Sequence, residues 1–246
     1  MALKDYRTAL VTGASSGIGA ATVAALTDRG IKVHAVARRE DRLEKLAEAT
    51  GCTTHVLDLR DTEKIYETFA DQEIDILINN AGLGRGYESF FVTDPKDIDL
   101  TLETNVTAAL HVVRATAPGM VQRRRGHIVN IGSIAGLYPI KFSLYGASKG
   151  AVHLLSQNLR LELQGTGVRS TEICPGRVET EFFLGAFDDE QARRAFVEGY
   201  EILKAADIAD AILYALDAPW RVNVASIELT PTEQTTGGAT ITPVER

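Results

Sequence analysis

The sequence predicts an α/β fold made of one domain, in which a doubly wound parallel sheet of about seven strands carries helices on both faces. Two observations lead to this prediction. Short apolar runs typical of buried strands alternate with amphipathic helical patterns along all 246 residues, and such alternation is typical of βαβ units. No long Gly/Ser-rich or Pro-rich linker and no internal repeat divides the chain, so we expect a single domain over 1–246.

The apolar runs and helical patterns give the predicted elements in order. The strands span 8–11, 32–37, 54–57, 76–79, 127–131, 169–173 and 226–229. Apolar residues recur with the helical period over 17–29, 42–49, 62–71, 98–121, 146–164 and 208–216. Two segments fit less well, namely 181–200 and the tail from Thr230, and insertions of this kind at the C-terminal edge of a sheet often cover a site.

Composition excludes several classes of partner and site. A net charge of −7 argues against binding to nucleic acid or to anionic membranes. No apolar run approaches the roughly 20 residues of a membrane span, and the first residues lack the apolar core of a signal peptide, so we expect a cytoplasmic protein with no membrane partner. Cys52 and Cys174 are too few and too far apart for a metal or disulfide framework, so we predict reduced thiols and no zinc.

Three consecutive arginines at 123–125 form the one basic cluster, between a helical pattern and an apolar strand. Cations are favoured near helix C-termini. We therefore interpret the cluster as a solvated helix end without a catalytic role.

A glycine-rich loop follows the first predicted strand directly. Residues 12–19 read Thr-Gly-Ala-Ser-Ser-Gly-Ile-Gly and lead into a helix. Glycines let backbone N–H groups approach a pyrophosphate, and the helix N-terminus presents its positive dipole end. A tight turn with no ligand is the alternative, which the strand before the loop and the helix after it disfavour. The predicted phosphate contacts are Gly13, Ser15, Ser16, Gly17, Ile18 and Gly19.

The end of the second strand indicates which nicotinamide cofactor fits. An acidic residue at this point usually accepts a hydrogen bond from the adenosine ribose and would repel a 2′-phosphate. The chain has Arg38 and Arg39 instead, and guanidinium groups suit a phosphate. We predict NADP(H), with Arg38 as the stronger contact and Arg39 as a supporting charge. Two exposed arginines that end a strand are the alternative.

Tyr145 and Lys149 lie four residues apart, a spacing that places two side chains on one face of a helix. An ammonium beside a phenol favours the phenolate, so we expect the pKa of Tyr145 to fall below its usual value of about 10. The tyrosine could then act as an acid or a base. Asn105 and Ser133 complete a tetrad-like set. A semi-buried tyrosine on an amphipathic helix is the alternative.

These motifs stand in the order typical of short-chain dehydrogenases/reductases, and the chain resembles that family over nearly its whole length. The matching positions are the loop at 12–19, Asp58 after the third strand, Asn-Asn-Ala-Gly at 79–82, Asn105, Ser133, Tyr145 with Lys149, and Pro175-Gly176 with Thr180. The resemblance implies a Rossmann-type fold with a dinucleotide-binding part mainly at 6–135 and a catalytic and substrate part mainly at 133–246. It also implies a homotetramer or homodimer.

The resemblance further assigns roles around the cofactor. It implies that Asp58 and Leu59 lie against the adenine and that Asn80, Ala81 and Gly82 line the adenosine ribose. It implies that Lys149 holds the nicotinamide ribose and that the nicotinamide is flanked by Pro175, Gly176, Val178 and Thr180. Asp58 as a helix cap and Pro175-Gly176 as a plain turn are the alternatives.

For the reaction, the resemblance implies that Tyr145 donates a proton to the forming alkoxide during reduction while Ser133 holds the substrate oxygen. Asn105 is similar to the helix-kinking asparagine of the family, which supports a water chain to the lysine. The substrate would be a small carbonyl compound or the corresponding alcohol.

The stretches 80–84, 130–133 and 223–234 resemble the branch that includes NADP-dependent 3-hydroxy acid and serine dehydrogenases and small-aldehyde reductases. An acidic substrate needs a cation in the site, and a guanidinium can hold a carboxylate with two hydrogen bonds. Arg177 is the best-placed candidate by sequence position, ahead of Arg85 and Lys141. An outward Arg177 paired with Glu179 or Glu181 is the alternative.

The remaining wall of the pocket is expected to be apolar, built from Ile134, Leu137, Tyr138 and the segment 182–184. Such a lid also suits a more hydrophobic ketone, either cyclic or aryl, which is the second candidate substrate. A regulator that binds NADP without catalysis is a third reading. It is disfavoured because Tyr145 and Lys149 are both present.

Overall fold

The computed structural model describes residues 2–85, 89–184, 200–235 and 241–242, and the side chains of 183 and 184 are outside this description. Seven parallel strands form the main sheet in the order β3-β2-β1-β4-β5-β6-β9. Their bounds are β1 Thr8–Thr12, β2 Lys32–Ala37, β3 Thr53–Val56, β4 Ile76–Asn79, β5 Gly126–Ile131, β6 Val168–Pro175 and β9 Ser226–Leu229. The predicted seven-stranded doubly wound sheet is confirmed.

A second, two-stranded sheet pairs β7 (Val178–Glu179) with β8 (Leu203–Lys204). The sequence analysis did not predict it, because two-residue strands have no detectable period. The pairing joins the segment that follows β6 to the segment that precedes the last helix, and so closes one side of the cleft described below.

Helices cover both faces of the main sheet. Their bounds are α1 Gly17–Thr27, α2 Glu40–Thr50, α3 Thr62–Phe69, α4 Pro95–Leu102, α5 Ala108–Gln122, α6 Ile134–Leu137, α7 Ser143–Glu162 and α8 Ala205–Asp217. Residues of α1, α2 and α8 contribute to one buried apolar cluster, and those of α3, α5 and α7 contribute to the cluster on the opposite face. Because every central strand is covered on both sides, strands such as β4 are buried along their full length.

The sheet reverses its winding direction between β1 and β4, which are neighbours in the sheet although β2 and β3 lie between them in sequence. In open α/β sheets, ligands bind in the crevice beyond the carboxyl ends of the strands at this switch point. The loop 12–19 follows β1 and residues 80–83 follow β4. The topology therefore brings together two motifs that are about 65 residues apart in the sequence.

The predicted helix at 98–121 is three elements rather than one. A π-helical segment, Glu103–Thr107, separates α4 from α5. π-Helical turns appear mostly as short interruptions of α-helices and frequently at functional sites. The buried Asn105 side chain lies inside this segment, and its contacts are given below.

The interpretation of the arginine cluster as a solvated helix end is wrong for two of its members. Arg125 forms a 2.9 Å ion pair with Asp75, whose side chain is 1% exposed. Arg123 donates a hydrogen bond to the carbonyl of Ile74. These contacts fix the end of α5 to the start of β4, so both arginines have a structural role.

Cys52 and Cys174 are free thiols and both are buried. Within the described ranges, no helix has the length and apolar character needed to cross a membrane, and no group of three or more metal-ligating side chains comes together.

Candidate active site

The loop after β1 packs tightly against the residues after β4. The Thr12 hydroxyl accepts hydrogen bonds from the N–H groups of Asn80 and Ala81, both at 2.9 Å. In the opposite direction, Asn80 Nδ2 donates to the Thr12 carbonyl at 2.8 Å. Gly13 has a φ of +65°, and a Cβ there would lie 2.9 Å from Ala81 Cα. Glycine is therefore required at this position for two reasons. The positive φ is unfavourable for residues with a side chain, and a side chain would collide with Ala81.

The N-terminus of α1 faces the cleft formed by this loop. Ser16 is the N-cap residue of α1, and Gly17 begins the helix with a φ of +52°. The first N–H groups of a helix have no partner within it and attract anions. Ile18 lines the cleft on both sides of this helix end. The geometry fits the phosphate-binding role predicted for Ser15 to Gly19.

Two arginines border the loop at the end of β2, and their side chains make different contacts. Arg39, rather than Arg38, donates hydrogen bonds to the hydroxyls of Ser15 and Ser16, at distances of 2.7 to 3.1 Å. Arg39 also pairs with the carboxylate of Glu181 at 2.8 Å. The Glu181 carboxylate therefore already contacts Arg39, a cation predicted to support the binding of a phosphate.

Glu181 makes a second ion pair, with Arg42 at 2.6 Å. Hydrogen bonds from Arg39 and Arg42 lower the pKa of the Glu181 carboxyl. Arg42 was not among the predicted site residues. It lies in the first turn of α2, directly after the predicted arginine pair, and this closeness in sequence could have suggested it.

A pocket beside the two arginines contains most of the residues predicted to contact the adenosine. Its walls include Gly13, Val36, Arg38, Leu57, Asp58, Leu59, Ala81 and Gly82. Leu59 is buried, while Asp58 accepts three hydrogen bonds from the Arg60 guanidinium, which lower its pKa. The helix cap of α3 is Asp61, so the alternative role of Asp58 as a cap of that helix is not observed.

Tyr145 and Lys149 both lie in α7 and both are buried. The Lys149 ammonium donates a 2.8 Å hydrogen bond to the Ile131 carbonyl at the end of β5 and lies 6.0 Å from the centre of the Tyr145 ring. Ser133 follows β5, and its hydroxyl hydrogen bonds to the Tyr145 phenol. The three predicted catalytic side chains are therefore brought to one point of the cleft.

The expected low pKa of Tyr145 is wrong. Burial raises the pKa of the phenol to about 12, and the hydrogen bond with Ser133 opposes this only in part. Burial also lowers the pKa of Lys149 to about 8, against the opposing charge of Glu172. Both shifts have the same cause, since a buried site disfavours the charged form of either group. The sequence spacing predicted the proximity of the pair but not its desolvation.

Asn105 links the π-helical segment to the loop after β4. Its side-chain oxygen accepts from Leu83 N–H at 2.8 Å, and its amide nitrogen donates to the Leu83 carbonyl at 2.9 Å and to the Ser148 hydroxyl at 3.1 Å. A Cβ placed on Gly82 would lie 3.4 Å from the Asn105 oxygen and 3.7 Å from the Lys149 ammonium nitrogen. Gly82 therefore lies beside both groups.

The segment after β6 forms the other wall of the cleft. The lining residues on this side include Pro175, Gly176, Val178, Thr180 and Phe182. The Thr180 methyl would lie 3.0 Å from a Cβ on Gly17, so this segment spans the cleft to reach α1. The Phe182 ring lies 5.5 Å from the Tyr145 ring. The positions predicted to flank a nicotinamide are thus adjacent to Tyr145.

Arg177 lines the same cavity and is 9% exposed. Its guanidinium donates a hydrogen bond to the Tyr200 hydroxyl and lies 5.4 Å from the centre of that ring. Its N–H donates to the Gln234 side chain at 3.0 Å. The alternative of an outward Arg177 is wrong, and Glu181 is paired elsewhere. Of the other two candidates, Arg85 is 3.9 Å from Asp97, and Lys141 is exposed.

The apolar wall differs in part from the prediction. Ile134 and Phe182 line the cavity as expected, and Ile140 and Phe142 join them. Leu137 and Tyr138 are not among the lining residues of the described part, and the Tyr138 hydroxyl instead donates to Glu228. The prediction for 183 and 184 falls on side chains outside the described part.

Gln234 and Tyr200 are site residues that the sequence analysis did not identify. Both reach Arg177 from segments that are distant in sequence. The stretch 223–234 was noted for its resemblance to one branch of the family, which was the available signal for Gln234. Nothing in the pattern around Tyr200 indicated that it would contact Arg177.

Gly19→Ala tests the packing of the phosphate loop. A Cβ at Gly19 would lie within 3.0 Å of the Gly13 carbonyl oxygen and 2.8 Å from Asn80 Nδ2, so the loop must shift. We expect a loss of about 1 to 3 kcal/mol in the free energy of unfolding, measured in urea. Gly150→Ala in α7 is the control, because it meets no atom within 4 Å and should stabilise by about 0.5 to 1 kcal/mol. Equal stability of both variants would contradict the tight loop.

Comparisons with known proteins agree with this site. The family model described as short chain dehydrogenase matches residues 7–191. NADP-dependent 3-hydroxy acid dehydrogenase YdfG of Salmonella typhi is 39% identical over 243 residues, covering 94% of this chain and 98% of the relative. Sulfoacetaldehyde reductase 2 of Chromohalobacter salexigens is 38% identical over 238 residues, covering 92% of this chain and 94% of the relative.

A solved structure gives the same result for the fold. The closed form of serine dehydrogenase complexed with NADP+ aligns with a TM-score of 0.89 and 36% identity, covering 97% of this chain and 99% of that one. The family match extends over more than half of the chain and includes the phosphate loop, Ser133, Tyr145 and Lys149. The chain therefore belongs to the short-chain dehydrogenase/reductase family.

Proposed function

We propose that the protein is an NADP(H)-dependent oxidoreductase that interconverts a small acidic alcohol, such as a hydroxy acid, and the corresponding aldehyde or ketone. The observation that carries the proposal is the convergence of Tyr145, Ser133 and Lys149 at one point of a cleft that continues to the phosphate loop and Arg39. The cofactor, when bound, supplies or accepts the hydride. The residues of the chain bind the two reactants and handle the proton.

The phosphate loop and the arginines support NADP(H) as the cofactor. The hydroxyls of Ser15 and Ser16 and the free N–H groups of α1 suit the pyrophosphate. Arg39 and Arg42 are already in contact with one carboxylate, Glu181, and the same guanidinium groups suit a 2′-phosphate. The serine dehydrogenase structure with NADP+ has the same fold, which is further support.

Tyr145 is the proposed proton donor in the direction of reduction. Its high pKa keeps the phenol protonated at neutral pH, as a general acid requires. The Ser133 hydroxyl hydrogen bonds to the phenol, so a substrate oxygen between the two groups would receive a hydrogen bond from each. Preorganised donors of this kind stabilise negative charge on the oxygen in the transition state.

The Lys149 ammonium contributes positive charge beside the phenol, and the Ile131 carbonyl fixes its position. Asn105 is the proposed link from this lysine toward solvent, on the side of Gly82. The role rests on the proximity of Gly82 to both side chains.

The cofactor preference can be measured in a panel of NADPH and NADH with semialdehyde, ketone and sugar substrates. We expect the wild type to prefer NADPH. Arg39→Ala should lower kcat/KM for NADPH about 10- to 100-fold, because a charge-assisted hydrogen bond is lost, and should leave NADH nearly unchanged. Arg29→Ala removes an exposed charge at the far end of α1 and serves as the control. An equal loss with both cofactors would contradict a 2′-phosphate contact.

Tyr145→Phe tests the proton donor. We expect kcat to fall at least about 100-fold, which is the usual contribution of general acid–base catalysis. The Kd for NADPH, measured by calorimetry, should stay within about a factor of three of wild type, because we expect the binding free energy to change by about 0.5 kcal/mol or less. Tyr214→Phe changes an exposed tyrosine of α8 and should have no effect. Near wild-type turnover in Tyr145→Phe would overturn the assignment.

Arg177 supports an acidic substrate. It is a buried cation in the wall of the cavity that also contains Ser133 and Tyr145. The guanidinium donates to the Tyr200 hydroxyl, and a substrate carboxylate or sulfonate that entered the cavity would accept a further, charge-assisted hydrogen bond from it. The names of the relatives, which include a 3-hydroxy acid dehydrogenase and a sulfoacetaldehyde reductase, support the same substrate class.

A matched substrate pair tests this role, with a semialdehyde acid compared with its methyl ester. Arg177→Ala should lower kcat/KM for the acid about 100-fold and for the ester only a few-fold, because a charge-assisted contact is lost only with the acid. Lys141→Ala, which removes an exposed cation, should leave both rates unchanged. Equal losses for both substrates would favour the second candidate, a hydrophobic ketone held by Ile140, Phe142 and Phe182.

We also propose a homotetramer or homodimer. Large apolar side chains are exposed on α7, where Leu154 is 55% and Leu161 is 72% exposed, and Leu110 is exposed on the neighbouring α5. Burial of such side chains between subunits is favourable. Light scattering should give a mass that is a multiple of the monomer mass, and Leu161→Glu should lower it while leaving the far-UV spectrum unchanged. A monomeric wild type would contradict the proposal.

A further inference from the structure

Glu172 is a fully buried carboxylic acid that the proposed reaction does not use. It lies in the middle of β6, and its residue exposure is 0%. Carboxylates are almost never fully buried unless they are paired, because transfer of a charge from water costs several kcal/mol. Its position close to the proposed catalytic residues therefore needs an explanation.

The carboxylate lies directly against Gly132, the residue that follows β5, next to the carbonyl that holds Lys149. A Cβ placed on Gly132 would collide with Glu172 Oε1 and would lie 3.0 Å from its Cδ. Gly132 stands between Ile131, whose carbonyl accepts the Lys149 hydrogen bond, and Ser133. Only a glycine leaves room for a carboxylate at this place.

His153 fixes the other oxygen of Glu172. The distance from His153 Nδ1 to Glu172 Oε2 is 2.6 Å, and His153 Nε2 lies 2.8 Å from the Gln157 amide nitrogen. Because an amide nitrogen donates, Nε2 accepts, and Nδ1 carries the proton that is donated to the carboxylate.

The geometry also relates the pair to Lys149 through α7. Tyr145, Lys149, His153 and Gln157 follow one another at intervals of four residues, so they share one face of the helix. We propose that Glu172, oriented by His153, is a positioning residue that holds the Lys149 side chain in its charged form against the Ile131 carbonyl. This role rests on the proposed function, because it acts through Lys149.

The other groups that face this cluster do not supply the same charge. On β6, burial raises the pKa of the Cys174 thiol to about 12, so the thiol is neutral. On α7, Tyr145 is a protonated phenol. On the π-helical segment, Asn105 is uncharged. On β9, Glu228 is exposed to solvent and bound to Tyr138, so water screens its charge.

The direction of the effect follows from the charges. Burial lowers the pKa of Lys149 to about 8, and the negative charge of Glu172 opposes that shift. In the wild type we expect kcat/KM for reduction to decline above about pH 8, where the ammonium is lost. Glu172→Gln keeps the size of the side chain and removes its charge, so the decline should begin about one pH unit lower.

Two matched variants separate charge from packing. His153→Gln keeps an N–H donor for Glu172 but has no imidazole. The pH at which its kcat/KM declines should stay within about 0.3 pH unit of wild type, which corresponds to about 0.4 kcal/mol. Glu228→Gln removes the exposed carboxylate on the neighbouring strand and should not move it. A uniform loss of rate at all pH values in Glu172→Gln, or an equal displacement in His153→Gln, would overturn the proposal.

A second readout needs neither substrate nor cofactor. Between about pH 8 and the usual lysine pKa, Lys149 is protonated in the unfolded state and deprotonated in the folded state. In this pH window the group therefore makes the free energy of unfolding rise with pH. Glu172→Gln loses its favourable contact only while Lys149 is charged. The difference in Tm between wild type and Glu172→Gln should therefore shrink from pH 7 to pH 10.

A pH-independent Tm difference would overturn the role of Glu172. If the wild type turned over no substrate of the panel, the proposed function would fail, while the Tm series would still report the interaction of Glu172 with Lys149. Should Glu172→Gln not fold, Glu172→Asp retains the charge and should keep the wild-type pH dependence of Tm. A changed pH dependence in Glu172→Asp would overturn the proposal.

Discussion

The site depends on one buried contact, the hydrogen bond from the Lys149 ammonium to the Ile131 carbonyl at the end of β5. It joins α7 to an inner strand of the sheet and holds the lysine beside Tyr145. A buried ammonium is unfavourable unless nearby groups compensate for its lost hydration. The carbonyl of Ile131 and the negative charge of Glu172 provide this compensation. Each of them comes from a different element of the fold.

The phosphate end of the cleft is held by a different kind of constraint, which is steric. Gly13 and Gly19 bring the loop after β1 so close to Asn80 that no side chain fits between them. Thr12 completes the contact through its hydroxyl. The same topological switch point that brings β1 beside β4 therefore determines where the cofactor loop and the loop of Gly82 meet. Glu181 and Phe182 connect this end of the cleft to the tyrosine, since one contacts Arg39 and its neighbour contacts Tyr145.

The errors of the sequence analysis share a cause. The spacing of Tyr145 and Lys149 predicted a charge pair, but burial raised the pKa of the phenol, because desolvation outweighed the attraction. The arginines at 123–125 were predicted to be solvated, but Arg125 forms an ion pair with the buried Asp75. In each case the sequence did not indicate which residues would surround the side chain in the folded protein.

Local periodicity and fixed motifs were enough to predict the strands along the chain, the family and the candidate residues of the loop and of the proton-transfer site. The charges of those residues and their surroundings depend on the three-dimensional packing. Glu172, His153 and Gln234 belong to no motif. Glu172 is placed by the pairing of β6 with β5. His153 contacts it because it lies on the same face of α7 as Lys149, and Gln234 reaches Arg177 because the chain returns to the site after β9. Long-range packing sets burial, and burial sets the pKa values, so the chemistry of the site is a property of the fold rather than of any single segment.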